Sequence, residues 1–191
     1  MNKITTGLIG LVATVGIVAG TAYAIFTSQV TISGFQLKTG TAALQIKPDL
    51  AGYDFGPSMP IPWDTFKVLL PGTIERGVFW LKNNSDAGTT RPEDFDLALT
   101  GQLISVEGDW GDLKDLIFAE VFVEESPSET TGWHKLSEWN SSSISLPGGV
   151  LGAGLNRKYN VRFYLDSAAD NTVAGKKISN VTIEFTGTQV L

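Results

Sequence analysis

The sequence predicts an all-β sandwich of about eight or nine strands, and three observations carry that reading. Apolar and polar residues alternate over short runs, clearest at Phe95–Thr100, Tyr159–Asp166 and Val181–Thr186. Gly, Pro and Asn clusters punctuate the runs and mark turns. Almost nowhere does the 3.6-residue period of an amphipathic helix take over. No fixed internal repeat appears, which argues against propellers and solenoids.

The chain opens on a different pattern. Lys3 is the only charge before a run of about twenty apolar residues that carries Gly7, Gly10, Gly16 and Gly20. The run is long enough to span a bilayer as a permanent anchor. The glycines, the small-x-small pattern Ala22-Tyr23-Ala24 and the lack of a basic flank after Phe26 favour a hydrophobic signal helix instead, cut before Ile25. Residues 1–24 are therefore read as a signal peptide, 25–36 as an N-terminal arm, and 37–191 as the sandwich domain.

Within the arm, Phe26, Val30 and Ile32 share one parity, and Ile25, Thr27, Gln29 and Thr31 take the other. That is a half-apolar strand starting at the new amino terminus. Thr41–Lys47 reads as a strand ending at Pro48, and 49–62, with three Pro and two Gly, as a surface loop. Phe66–Leu70 is a short strand stopped by the turn dipeptide Pro71-Gly72. Thr73–Leu81 returns as a strand whose Val78-Phe79-Trp80-Leu81 run is too apolar for a wet face. Asn83–Pro92 is a polar loop, and Phe95, Leu97 and Leu99 alternate with Asp94, Asp96 and Thr100.

Trp110–Leu116 is the one place where a helical turn fits. Ile117–Val123 is a buried strand, Glu124–Thr131 a charged turn, and Trp133–Trp139 a further strand or an irregular edge. A short run at Ile144–Leu146 precedes the glycine-containing loop Pro147–Gly154. The last two strands centre on Tyr159–Leu165 and Val181–Phe185, with the acidic turn Asp166–Gly175 between them.

Composition narrows the function. Removal of residues 1–24 takes one Lys from 14 cations and none of the 20 acids, leaving 13 − 20 = −7. An acidic chain without Lys/Arg clusters argues against nucleic acid and against anionic lipid as partners. With no cysteine there is neither a disulfide staple nor a thiol nucleophile. The single histidine, His134, lacks a His-Glu-x-x-His partner, and no Gly-x-Ser-x-Gly elbow is present. Neither zinc proteolysis nor serine hydrolysis has its signature, and no catalytic residue is assigned.

Gly152-Ala-Gly154 and Pro147-Gly-Gly149 do not open a helix after a strand, so turns account for them better than a phosphate cradle does. Asp166, Asp170 and Asn171 are weak candidates for a hard cation such as calcium, against an ordinary solvated turn. No other cofactor is expected. Asn83-Asn84-Ser85, Asn140-Ser-Ser142 and Asn180-Val-Thr182 match glycosylation sequons in form only. Of the five tryptophans, Trp80 reads as core. Trp63, Trp110, Trp133 and Trp139 lie near loops, where they could line a carbohydrate-binding face.

Four landmarks in order carry a family resemblance. The leader with Gly-Thr-Ala-Tyr-Ala-Ile-Phe-Thr-Ser is followed by Thr39-Gly-Thr-Ala-Ala-Leu-Gln-Ile46. Next comes Leu70-Pro-Gly-Thr-Ile-Glu-Arg-Gly-Val-Phe-Trp-Leu-Lys-Asn-Asn-Ser85. Gly175-Lys-Lys-Ile-Ser-Asn-Val-Thr-Ile-Glu-Phe-Thr-Gly-Thr-Gln189 closes the series. Together they resemble the TasA/camelysin group of exported biofilm-matrix fibre proteins, processed by a SipW-type signal peptidase, with a relation to archaeal bundling pili. Residues 100–155 do not take part.

The resemblance implies a jelly-roll sandwich, no enzymatic activity, and secretion to an extracellular filament or the cell surface. Its implied partners are other copies of the same chain in a homopolymer and other matrix components, with membrane contact only before signal cleavage. In such fibres one subunit's N-terminal arm completes the next subunit's sheet. Residues Ile25–Ile32 extend to about 27 Å, enough to cross a sheet. Phe26, Val30 and Ile32 are the expected donor-strand anchors. The competing reading keeps the arm as an edge strand of its own sheet. The competing functions are a monomeric secreted carbohydrate-binding sandwich and, last, a camelysin-type protease, for which the zinc-ligand cluster is missing.

Overall fold

The structure, a computed structural model, describes residues 31–33, 36–39, 44–60, 69–85 and 95–190. It is a two-sheet β-sandwich. Among the described residues twelve strands form two six-membered sheets, and eight of the twelve have four or more residues.

Sheet one has the order β10 (Ile144–Ser145), β6 (Asp96–Gly108), β12 (Lys177–Val190), β2 (Gln36–Thr39), β4 (Ser58–Pro60), with β1 (Thr31–Ser33) also paired to β12. Sheet two has the order β3 (Leu44–Pro48), β5 (Ile74–Asn83), β11 (Asn156–Leu165), β7 (Ile117–Val123), β8 (Ser126–Thr130), with β9 (His134–Lys135) also paired to β7. Pairings among the described strands are antiparallel except those of β1 and β2 with β12, which are parallel.

Alternation decides which side chains meet between the sheets. Phe79 and Leu81 of β5, Tyr159, Val161, Phe163 and Leu165 of β11, and Ile117, Ala119, Val121 and Val123 of β7 point inward from sheet two. Leu97, Leu99 and Leu103 of β6 and Ile183 and Phe185 of β12 join the same core from sheet one. At its centre Phe79 stacks between Phe185, with centroids 5.0 Å apart, and Tyr159, at 5.7 Å.

One side of the sandwich is plugged by a short helix, α2 (Leu136–Ser141). Its Trp139 is fully buried and donates its indole N–H to the Ala119 carbonyl at 3.1 Å. Gly101 makes that plug fit. A Cβ there would stand 3.0 Å from the Phe185 ring and 3.1 Å from the Trp139 ring. A second α-helix among the described residues, α1 (Trp110–Leu113), falls on the predicted helical turn.

Several expectations need correction. Trp80 is not core: Phe79 and Leu81 take the inward parity, so Val78 and Trp80 face outward and are half-exposed. Trp139 is core rather than rim. The charged turn Glu124–Thr131 contains strand β8, which Pro127 and its polar residues suit to an edge. Trp133–Trp139 is a two-residue strand running into α2. The expected loop 49–62 contributes β4. Phe66–Val68 of the expected short strand and Trp63 lie outside the described residues, whereas Leu69 is buried.

Candidate functional site

The N-terminal arm is the first place to look. Its described part, β1, pairs with β12 of the same chain: Thr31 opposite Lys177, Ile32 opposite Ile178 and Ser33 opposite Ser179. β2 continues along the same strand, from Gln36 opposite Thr182 to Thr39 opposite Phe185. The offset is constant, since 177 − 31 and 185 − 39 both equal 146. β1 and β2 therefore share one line, laid parallel to β12 on the flank that β6 does not occupy.

Only β2 gains a second described neighbour, β4, at Gln36–Lys38. Among the described strands β1 pairs with β12 alone and forms the margin of the sheet. On the other side of β12, a bulge lies between Ser179 and Thr182 in the pairing with β6. Asn180 sits there at φ 51° and donates to Glu107 at 2.6 Å, so the third sequon's asparagine is a fold element.

Of the three expected anchors, Ile32 is thus found in its own sheet, at the backbone position opposite Ile178. Phe26 and Val30 lie outside the described residues, as do the cleavage residues Ala22, Ala24 and Ile25.

The outer face of sheet two is the second region. Across its strands run Ile74, Tyr164 and Phe118 in one row, Arg76, Arg162 and Glu120 in the next, and Lys47, Trp80 and Lys158 farther on. Ile74, Phe118, Trp133 and Tyr164 line an apolar groove of about 320 Å³. Arg162 lies between the Phe122 ring (4.4 Å) and the Trp133 ring (5.4 Å) and forms an ion pair with the buried Glu120, which also accepts from the Thr130 hydroxyl. That pair welds β7, β8 and β11 together.

At the other end of the face, Asp49 accepts from the Trp80 indole N–H and from the Lys158 ammonium, both at 2.8 Å. Lys158, and after it Trp80, hold the Asp49 carboxyl below the ordinary carboxylate range, and Asp49 in turn raises Lys158. Lys47 and Lys158 lie 5.9 and 5.5 Å from the Trp80 ring centroid.

The remaining sequence candidates serve local structure. His134 Nδ1 meets Glu138 Oε2 at 3.0 Å and Nε2 meets the Thr131 carbonyl at 3.0 Å, so both ring nitrogens are engaged in fixing the entry to α2. Asp170 Oδ1 accepts from the Thr172 hydroxyl at 2.6 Å and the Thr172 N–H at 2.8 Å, which lowers its pKa. Asp166 Oδ1 accepts from the Ala168 N–H at 2.9 Å. These are turn caps, and among the described residues no three acidic or histidine side chains converge on a metal position.

No protein-family model matches the chain, and no curated protein matches it. Among the described residues no helix is long and apolar enough to cross a membrane.

Proposed function

We propose that this chain is the structural subunit of an extracellular filament or biofilm-matrix fibre, assembled head to tail by exchange of its N-terminal strand. The observation that carries the reading is the position of β1: a strand that cleavage before Ile25 would leave near the amino end, at the margin of sheet one among the described strands and paired there with β12 only. In a concentrated solution the same backbone bonds form with the β12 of the next copy. Each bond broken within the chain is remade between chains, so the exchange costs little. Such exchange is heterologous and does not close, so it grows a thread. The ordered sequence landmarks and the apolar leader point the same way. Cis seating of β1 is then the closed monomer.

The absence of cysteine makes a clean test. Thr31 and Lys177 are register partners and Lys177 is exposed, so a Thr31→Cys/Lys177→Cys variant is concentrated, linked with a short bis-methanethiosulfonate reagent and run on a denaturing gel. A ladder of covalent multimers, with threads in negative-stain micrographs, is the expected result. Covalent monomer alone, from protein that also forms no threads with or without calcium, refutes strand exchange.

A further inference from the structure

A polar cleft of about 330 Å³ opens at the end of sheet two, between the β7–β8 hairpin and the start of β11. Its volume falls at the lower end of the ~300–1,000 Å³ range of small-ligand sites. Trp80 supplies one half-exposed aromatic wall. Glu125 and Glu129 stand on the hairpin side, and Asn156, Arg157 and Lys158 on the β11 side.

The wall is built rather than accidental. Arg157 is pinned by three hydrogen bonds: Nη1 donates to the Gly149 carbonyl and the Tyr159 hydroxyl, both at 3.4 Å, and Nη2 to the Val150 carbonyl at 3.1 Å. Tyr159, whose hydroxyl burial pushes up, donates in turn to the Pro147 carbonyl at 3.2 Å. Gly148, at φ 90°, is what lets the guanidinium lie there, because a Cβ would stand 2.7 Å from Arg157 Nη1. A guanidinium has five N–H donors, so this anchoring leaves two for a ligand. Asp49 fixes the Trp80 ring in the same manner.

The charges in the cleft decide the ligand. Around the cleft Glu125, Glu129 and Asp49 balance Arg157, Lys158 and Lys47, so neither a polyphosphate nor a polycation gains from entering. The walls are too polar to reward an apolar peptide. Paired donors and acceptors on Arg157, Asn156 and the two glutamates suit vicinal hydroxyls, and an indole face suits the C–H face of a pyranose ring. The geometry points to a binding site for a neutral polyhydroxylated chain, an oligosaccharide, on the same subunit. The site stands apart from the β1–β12 seam and does not depend on polymerisation.

The purified protein is titrated calorimetrically with neutral hexasaccharides (β-1,4-glucan, β-1,3-glucan and α-mannan), with a polyuronate of equal length as control. At least one neutral chain is expected to bind saturably. Affinity is expected to fall roughly tenfold in Trp80→Ala and in Glu129→Gln. Glu129 is exposed on an edge strand, so its variant keeps the fold even if Trp80→Ala does not. Lack of saturable binding by every neutral chain overturns the proposal. So does polyuronate binding of equal strength, or wild-type affinity in Glu129→Gln.

Discussion

The two sheets finish their margins in different ways. In sheet two the outer edge of β3 is closed by a neighbouring loop: Ile46 and Gly56 exchange both backbone bonds, at 2.8 and 3.0 Å. Its opposite edge carries β8 and β9, locked down by the Glu120–Arg162–Thr130 cluster and followed directly by α2. In sheet one the flank of β12 is closed by β1 and β2. A margin sealed by a loop only ten residues away in sequence stays sealed. A margin sealed by a strand nearly 150 residues away is the one that the proposed exchange opens.

The contrast can be attacked from either side. Glu120→Ala removes the buried partner of Arg162 and is expected to cost about 3 kcal/mol. That is the low end of the usual range, because the Arg162 side chain is itself 32% exposed. The variant should show a lowered denaturation midpoint while still forming threads at temperatures where it is folded. Loss of threads in a folded Glu120→Ala monomer would tie sheet two to assembly and erase the distinction.

Gly56→Pro removes the Gly56 N–H donor to Ile46 and half-opens the loop-sealed edge. A loss on the order of 1 kcal/mol is expected in urea titration, again with threads intact. Asp49→Asn addresses the smallest effect. The pair with Lys158 is partly open to solvent, with side chains 21% and 38% exposed, so screening holds its contribution under about 1 kcal/mol. Asp49 is lowered, so its share is present above the ordinary carboxylate range and fades as pH falls through that range. Lys158 is raised, so its share is present below the ordinary lysine range and fades as pH climbs through it. Wild type minus Asp49→Asn stability, measured across pH, should therefore be flat near neutrality and shrink at both ends.

Strict alternation is the most readable feature of the sequence. Ile117–Val123 emerges as β7 with the same ends, and β5, β11 and β12 stand where the period of two puts them. The same parity rule, applied to Phe79 and Leu81, turns Trp80 outward; four consecutive apolar letters conceal it. β6 runs past Thr100 to Gly108, paired with β12 throughout, but Gly101 breaks the apolar series in the sequence at the point where Trp139 packs against it.

α2 is illegible by composition, since Ser and Asn are poor helix formers. The Leu136/Trp139 spacing of three is its only sign. Of the seam, the letters disclose a strand-competent arm but not its orientation, because parallel pairing with β12 depends on residues nearly 150 positions apart. The cleft is hidden for a similar reason: Trp80, Glu129 and Arg157 converge only through sheet order.

The parallel run of β1 and β2 along β12 has a mechanical consequence. Tension applied between the front of the chain and its carboxyl end pulls these strands lengthwise past each other. The bonds over Thr31–Ser33 and Gln36–Thr39 are then strained together in shear, instead of parting one at a time like a zip. A join of that kind resists stretching far better than its short length suggests.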